Sequence, residues 1–220
     1  MKKLISLIVF SIIVTISVFS QSITYVTYGT EMIFSLASIE DHGNSESSLL
    51  RWAPFLNIQT LLNKDLSDKF GIFSGLAIRN VGYIYDNYTD PSNATTYKKK
   101  FRSYNLGIPL GIKVGNLEKL YAYGGYEVEF PFLYKEKNFD NGDKFGKITG
   151  WFSKRQEAIQ HGFLVGIQFP YGPNVKFKYY LSEFHNQEFT DAGGIKPYEG
   201  LKSNIFYFSL NYIFRGVKLD

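Results

Sequence analysis

Apolar and polar residues alternate with period two in block after block of this chain. The clearest block sets Tyr104, Leu106, Ile108, Leu110, Ile112 and Val114 against Ser103, Asn105, Gly107, Pro109, Gly111 and Lys113. The next sets Leu120, Ala122, Gly124, Tyr126, Val128, Phe130, Phe132 and Tyr134 against Tyr121, Tyr123, Gly125, Glu127, Glu129 and Lys135. Phe163, Val165, Ile167 and Phe169 alternate with Gly162, Leu164, Gly166 and Gln168, and Phe206, Phe208, Leu210, Tyr212 and Phe214 with Tyr207, Ser209 and Asn211. A side-chain repeat of two is the signature of a β-strand with two unlike faces. Weaker versions run through 24–38, 50–62, 69–84 and 174–185, which makes eight predicted strands. Several exceed ten residues, longer than the five or six or so of an ordinary strand and long enough to cross a bilayer at a tilt.

The connections alternate in length. Asn63 to Asp68, Gly115 to Glu118 and Tyr171 to Asn174 are short, whereas Glu40 to Ser48, Asp86 to Tyr97, Glu136 to Gln160 and Asn186 to Leu201 are long. Outer-membrane barrels have this rhythm, with short periplasmic turns and long outer loops. The pattern therefore predicts an all-β fold, an eight-stranded antiparallel up-and-down transmembrane β-barrel. A hairpin within Glu136 to Gln160 would raise the count to ten. That loop also carries Trp151-Phe152, which suggests folding over the barrel mouth or docking of a partner.

In such a barrel the polar face is the inside. Here it carries Glu31, Arg51, Asn57, Gln59, Arg79, Asn105, Lys113, Glu127, Glu129, Gln168, Lys176, Lys178, Ser182 and Asn211. Both signs of charge are present, and buried charges need partners. Glu31, Glu127 and Glu129 are expected to pair with Arg51, Arg79 and a lysine of the seventh strand. Eight strands leave room for little beyond these side chains, so a wide channel is not expected. Aromatic girdles are predicted at the long-loop rim by Trp52, Tyr104, Phe132, Tyr134, Phe163 and Phe206, and at the opposite rim by Phe70, Phe169, Tyr212 and Phe214. A soluble aromatic-rich sandwich is the competing fold.

Residues 1–20 read as a signal peptide, with Lys2 and Lys3 ahead of the apolar run Leu4 to Phe19 and Ser20 at a cleavage point before Gln21; residues 21–220 form the barrel domain. A membrane-anchoring helix is the alternative for that run. Without Lys2 and Lys3, 22 basic residues face 20 acidic ones, so the basic excess makes no case for nucleic acid. With 18% aromatic residues, 20% charged residues and a mean hydropathy of -0.14, the chain is neither a polytopic helical membrane protein nor disordered. Zero cysteines remove thiolate zinc sites, thiol nucleophiles and disulfides.

The stretch Tyr104 to Lys113, followed by Leu120-Tyr121-Ala122-Tyr123-Gly124-Gly125, resembles the middle of the PorT-like outer-membrane β-barrel family of the Bacteroidetes, a small barrel of OmpX/OmpA-like type. The family's strand reads tyrosine-leucine-x-isoleucine-proline-leucine and ends in lysine before a short turn. The resemblance implies an integral outer-membrane barrel, and some members serve secretion or gliding machinery. It also makes sense of Pro109, which removes a ladder donor and is expected to sit at a local bulge. Phe214 is followed by Arg215 to Asp220, so the terminal aromatic of the broader barrel pattern is displaced.

Candidate chemistry is sparse. Ser182, Glu183 and His185 are close in sequence, but on a strand Ser182 faces away from the other two. His42 and His161 lie at other loop bases, and Glu40-Asp41-His42 lacks diagnostic metal spacing. No catalytic, cofactor-binding or metal-binding residue is assigned, and no cofactor. Lys98-Lys99-Lys100, Arg102, Lys135, Lys137, Lys144, Lys147, Lys154 and Arg155 gather at the outer end, where they suit lipopolysaccharide phosphates. The reading is a non-enzymatic, structural or binding outer-membrane protein. Its expected partners are outer-membrane lipid, lipopolysaccharide and a protein held by the long loops. The alternatives are a lipid-modifying enzyme on the same scaffold and a soluble periplasmic lipocalin-like carrier.

Overall fold

A computed structural model of the chain describes residues 22–90 and 93–219; the signal-peptide segment lies outside the described residues. Twelve strands form one antiparallel sheet: β1 Ile23–Asp41, β2 Asn44–Glu46, β3 Ser48–Leu49, β4 Arg51–Ala53, β5 Ile58–Asp65, β6 Phe70–Thr89, β7 Thr96–Gly115, β8 Tyr121–Asp140, β9 Asp143–Trp151, β10 Gln160–Gln168, β11 Pro173–Tyr180 and β12 Leu201–Leu219. Neighbours β1, β5, β6, β7, β8, β10, β11 and β12 close into a ring, because β8 pairs with β10 and β12 pairs with β1. The barrel thus has eight wall strands. β9 is a hairpin arm on the far end of β8 and adds nothing to the ring.

Several strands outrun their sequence signal. β6, β7 and β8 each have 20 residues, and the presumed long connection Asp86 to Tyr97 shrinks to residues 90–95 between Thr89 and Thr96. Past the membrane, threonines, lysines and tyrosines occupy both faces. Alternation in polarity then fades although the backbone ladder continues. The Glu136 to Gln160 connection begins as more of β8, turns at Asn141-Gly142 with φ of 46° and 93°, and returns as β9. Asn-Gly is the pair a tight hairpin turn demands. His42-Gly43, with φ of 49° and 84°, makes a similar turn between β1 and β2.

The outer wall is greasy. On β7, Leu106, Ile108, Leu110, Ile112 and Val114 are 41–64% exposed, and Val165, Phe208 and Leu210 continue the belt around the barrel. Nine residues of tilted strand span about 25 Å, the height of an apolar barrel band. Their interleaved neighbours Asn105, Lys113, Glu127, Glu129, Lys176 and Lys178 are all buried inside. Apolar side chains therefore face the acyl phase and charged ones the axis, which excludes both a soluble sandwich and a lipocalin-like carrier. Among the described residues no helix is long and apolar enough to cross a membrane.

Two local irregularities correct the sequence expectations. Tyr104 lies opposite Leu133 while Asn105 lies opposite Pro131, so Phe132 is an extra residue in β8. One inserted residue exchanges the faces beyond it. Tyr134 consequently points inward and is wholly buried, rather than joining the outer girdle, and Lys135 turns outward. Tyr104 stays on the outer side but is only 7% exposed, beside Phe132 and Arg102. Pro109, by contrast, sits in unbroken register opposite Glu127. The ladder to β6 is merely interrupted at Ile108 and Pro109, and Ser74 Oγ donates to the Pro109 carbonyl at 2.9 Å.

Nitroxides at Leu106 and Leu110 should report hydrocarbon contact in reconstituted vesicles, and Leu110→Arg should lower the urea-unfolding free energy by about 2–4 kcal/mol. Water accessibility at both sites would contradict the orientation.

Candidate functional site

Buried charges of both signs converge in the lumen, and alternation on β1, β6, β8 and β11 puts them there. Arg79 Nη1 donates to Glu31 Oε2 at 2.5 Å, its Nη2 lies 3.2 Å from Glu127 Oε1, and Nη2 also donates to Gln59 Oε1 at 2.8 Å. Lys176 Nζ reaches Glu31 at 2.8 Å. Lys178 Nζ donates to Glu127 Oε2 at 2.6 Å and to Glu129 Oε1 at 2.5 Å. Tyr180 OH and Asn105 Nδ2 complete the shell of Glu129, at 2.8 and 2.6 Å. Three carboxylates thus meet three cations, and the layer is neutral. Gly107 makes room for it, since a Cβ there would lie 2.5 Å from Glu127 Oε1.

Both lysines of β11 take part, whereas Arg51 does not. Pro54 and Leu56, the latter at φ 62°, break the second wall strand into β4 and β5 and leave Arg51 opposite Ser35, farther along β1 than Glu31. Its guanidinium bonds the Asn80 carbonyl at 3.1 Å and the Asn80 side chain.

A second pair sits toward the short-turn end, where Lys113 Nζ is 2.5 Å from Asp65 and donates to Tyr25 OH at 3.0 Å. A small void of about 40 Å³ lies between this pair and the central layer. Toward the long-loop end the interior changes character. Ile33, Ala37, Val81, Tyr83, Phe101, Phe184, Ile205 and Tyr207 form an apolar core there. It encloses Lys99 and Glu136, 2.6 Å apart, with Tyr134 and Tyr198 hydroxyls donating to the same carboxylate at 2.8 and 2.7 Å.

The mouth is covered by residues 181–200 together with the end of the 136–160 connection, whose buried Gln156 bridges to His185. Phe184, His185 and Tyr198 are buried beneath it, and His185 stacks on Tyr198 at 4.3 Å. Arg155, coming from the other connection, holds the Tyr198 hydroxyl at 3.1 Å. Trp151 instead stacks on Phe132 on the outer surface, at 6.1 Å and 23°, where it widens the girdle. Neither histidine arrangement forms a hydrolytic triad: Ser182 Oγ accepts the His161 N–H at 3.0 Å, Gln187 takes Glu183, and His185 Nε2 lies 2.9 Å from Tyr83 OH. His42 pairs with Asp41 at 2.7 Å and Glu40 with Lys202 at 2.7 Å. Among the described residues no group of metal-binding side chains assembles.

No family model matches the sequence, and no curated protein does. Several solved structures are similar to it over most of their length. The attachment invasion locus protein Ail of Yersinia pestis, solved in complex with the heparin analogue sucrose octasulfate, is 11% identical, with a TM-score of 0.39 over 88% of this chain and 99% of Ail. Neisserial surface protein A is 13% identical, with a TM-score of 0.38 over 86% and 97%. OprG of Pseudomonas aeruginosa is 11% identical, with a TM-score of 0.37 over 88% and 96%. The assignment of this chain rests on its own geometry. A closed barrel with an apolar outer belt and a polar interior is an integral outer-membrane barrel.

Removing one partner of a buried pair leaves an uncompensated charge and costs about 3–5 kcal/mol. Lys178→Met should therefore destabilise the reconstituted barrel by that order in urea unfolding. Combining it with Glu127→Gln and Glu129→Gln should restore part of the loss. Purely additive losses would argue against the network.

Burial, and then the Lys99 ammonium nearby, holds the His185 imidazole well below its usual 6.5. A loosened cap takes up a proton that the packed one does not, so the stabilisation is complete above 6.5 and fades as the pH falls below it. Hydrogen-exchange protection factors of residues 183–200 should drop on acidification, and His185→Gln should flatten that dependence.

Proposed function

We propose that this protein is a sealed outer-membrane barrel with a structural or binding role at the cell surface, neither an enzyme nor a porin. One observation carries the reading: the lumen is closed across its width by Glu31, Arg79, Glu127, Glu129, Lys176 and Lys178, and again at its mouth by Phe184, His185 and Tyr198. A solute path would have to break buried ion pairs. The polar groups of Ser182, Glu183 and His185 are committed to separate partners, so these three do not assemble as nucleophile and base for a lipid-modifying reaction.

What remains available is the outside. The β8–β9 arm and the ends of β6 and β7 rise above the membrane and offer a protein partner an extended surface. Outer-leaflet lipid is the other partner, met by the belt and the cations above it. Membership of the PorT-like family belongs to the same proposal, on the strength of Tyr104 to Lys113 and the turn into Leu120 to Gly125.

Planar-bilayer recordings of the purified barrel should show no steady conductance, and lipid A from cells with and without the protein should have the same mass spectrum. Partner capture from intact outer membrane should depend on residues 140–152. A persistent open state would support a channel instead, and an altered lipid A an enzyme.

A further inference from the structure

The barrel reverses its polarity along its axis. Within the belt apolar groups face out, while beyond the girdle they form the inner core and the outward positions turn polar. Where the reversal happens on β7 and β8, the first outward positions above Tyr104 and Leu133 are all cationic. Register places Arg102 directly opposite Lys135, and Lys100 directly opposite Lys137. Like charges facing each other across a ladder repel. None of the four has a carboxylate within ion-pair distance among the described residues.

Some other outward cations above the belt are matched. Glu40 faces Lys202 across β1 and β12 at 2.7 Å, and Lys98 meets Asp86 at 3.0 Å. The β7–β8 group is different: its members are half-buried and supported by rings, with Lys100 over Phe139 at 4.7 Å and Lys135 over Tyr104 at 5.2 Å. They line a recess of about 320 Å³ whose other wall includes Leu50 and Trp52. Farther down the same two strands, Leu106 and Phe130 begin the exposed apolar wall. Cations at headgroup height above an apolar strip match an amphiphile whose anionic head is fixed over its acyl chains.

We propose that Lys100, Arg102, Lys135 and Lys137 form a binding site for the phosphate groups of an outer-leaflet glycolipid, whose chains lie along Leu106 and Phe130. An Arg102 fork and three ammonium groups suit phosphate monoester oxygens. Such a ligand relieves two cross-strand repulsions at once. The site deepens the surface-binding role proposed above and rests on insertion of the barrel in a membrane.

The test uses the full chain in phosphatidylcholine nanodiscs carrying either bisphosphorylated lipid A or the same lipid with its phosphates removed, with bound lipid counted by native mass spectrometry. The wild type should retain the phosphorylated form about tenfold better, a difference of about 1.4 kcal/mol. K100Q/R102Q/K135Q/K137Q should lose that preference, and K69Q/K119Q, at the short-turn end, should keep it. Arg102→Glu, which gives Lys135 a partner, should also lose it while leaving the fold intact. An unchanged preference in the quadruple variant overturns the site. So does an equal loss in K69Q/K119Q, which would indicate a diffuse field, or displacement of the lipid by inorganic phosphate at equal concentration. Heat-modifiable gel migration is followed in every sample: a wild type that fails to insert defeats the membrane reading, whereas an inserted wild type without phosphate preference defeats this site alone.

Discussion

Every other feature of this barrel depends on charge neutralisation inside a low-dielectric cylinder. Six ionised side chains are buried inside the wall, and the desolvation this requires is offset by short contacts to opposite charges and by hydrogen bonds to the remaining oxygens. Arg79 joins two carboxylates on different strands, and Lys178 joins two on one strand. The wall strands are therefore tied across the lumen as well as edge to edge. Breadth is set by the same contacts, since eight strands leave an interior that side chains can fill.

Above the membrane the solvent changes, and the interior changes with it. Where water surrounds the wall, an aromatic core forms inside, built from Tyr83, Phe101, Phe184, Tyr198 and Tyr207. The ion pair buried in that region, Lys99 with Glu136, is wrapped by tyrosine hydroxyls and by the Tyr88 ring, which the Lys99 ammonium approaches to 3.9 Å. One continuous set of strands thus carries two opposite solutions to burial, a membrane one below and a soluble one above. The proposed lipid site lies at the boundary between them, where apolar wall and cations without a carboxylate partner meet.

A single extra residue sets where that boundary falls on β8. By exchanging faces at Phe132, the bulge sends Tyr134 and Glu136 into the mouth and puts Lys135 and Lys137 outside, opposite Arg102 and Lys100. Without it, the two lysines would point inward and the carboxylate that anchors Lys99 would face solvent. The bulge therefore creates the inner anchor and the outer cation group together.

The linear chain was sufficient to reveal strands, their number in the ring, the greasy outer face and the identity of most lumenal charges, because residues two apart share a face whatever the rest of the molecule does. Glu31, Arg79, Glu127 and Glu129 were legible in this way, as was the belt on Leu106 to Val114. Three things were not. The face of Tyr134 and the isolation of Arg51 depend on a bulge and a break, which shift parity without leaving a compositional trace. The extra length of β6 to β8 is hidden where lysines and tyrosines stand on both faces, although Asn141-Gly142 was a turn signal in plain view. The make-up of the cap, residues 181–200 with Arg155 and Gln156 of the other connection, is a matter of which segments can reach over the axis to bury Phe184, His185 and Tyr198. Local pattern reports which side a residue favours, whereas pairing across strands and closure over the mouth are decided by distances that exist only once the ring has formed.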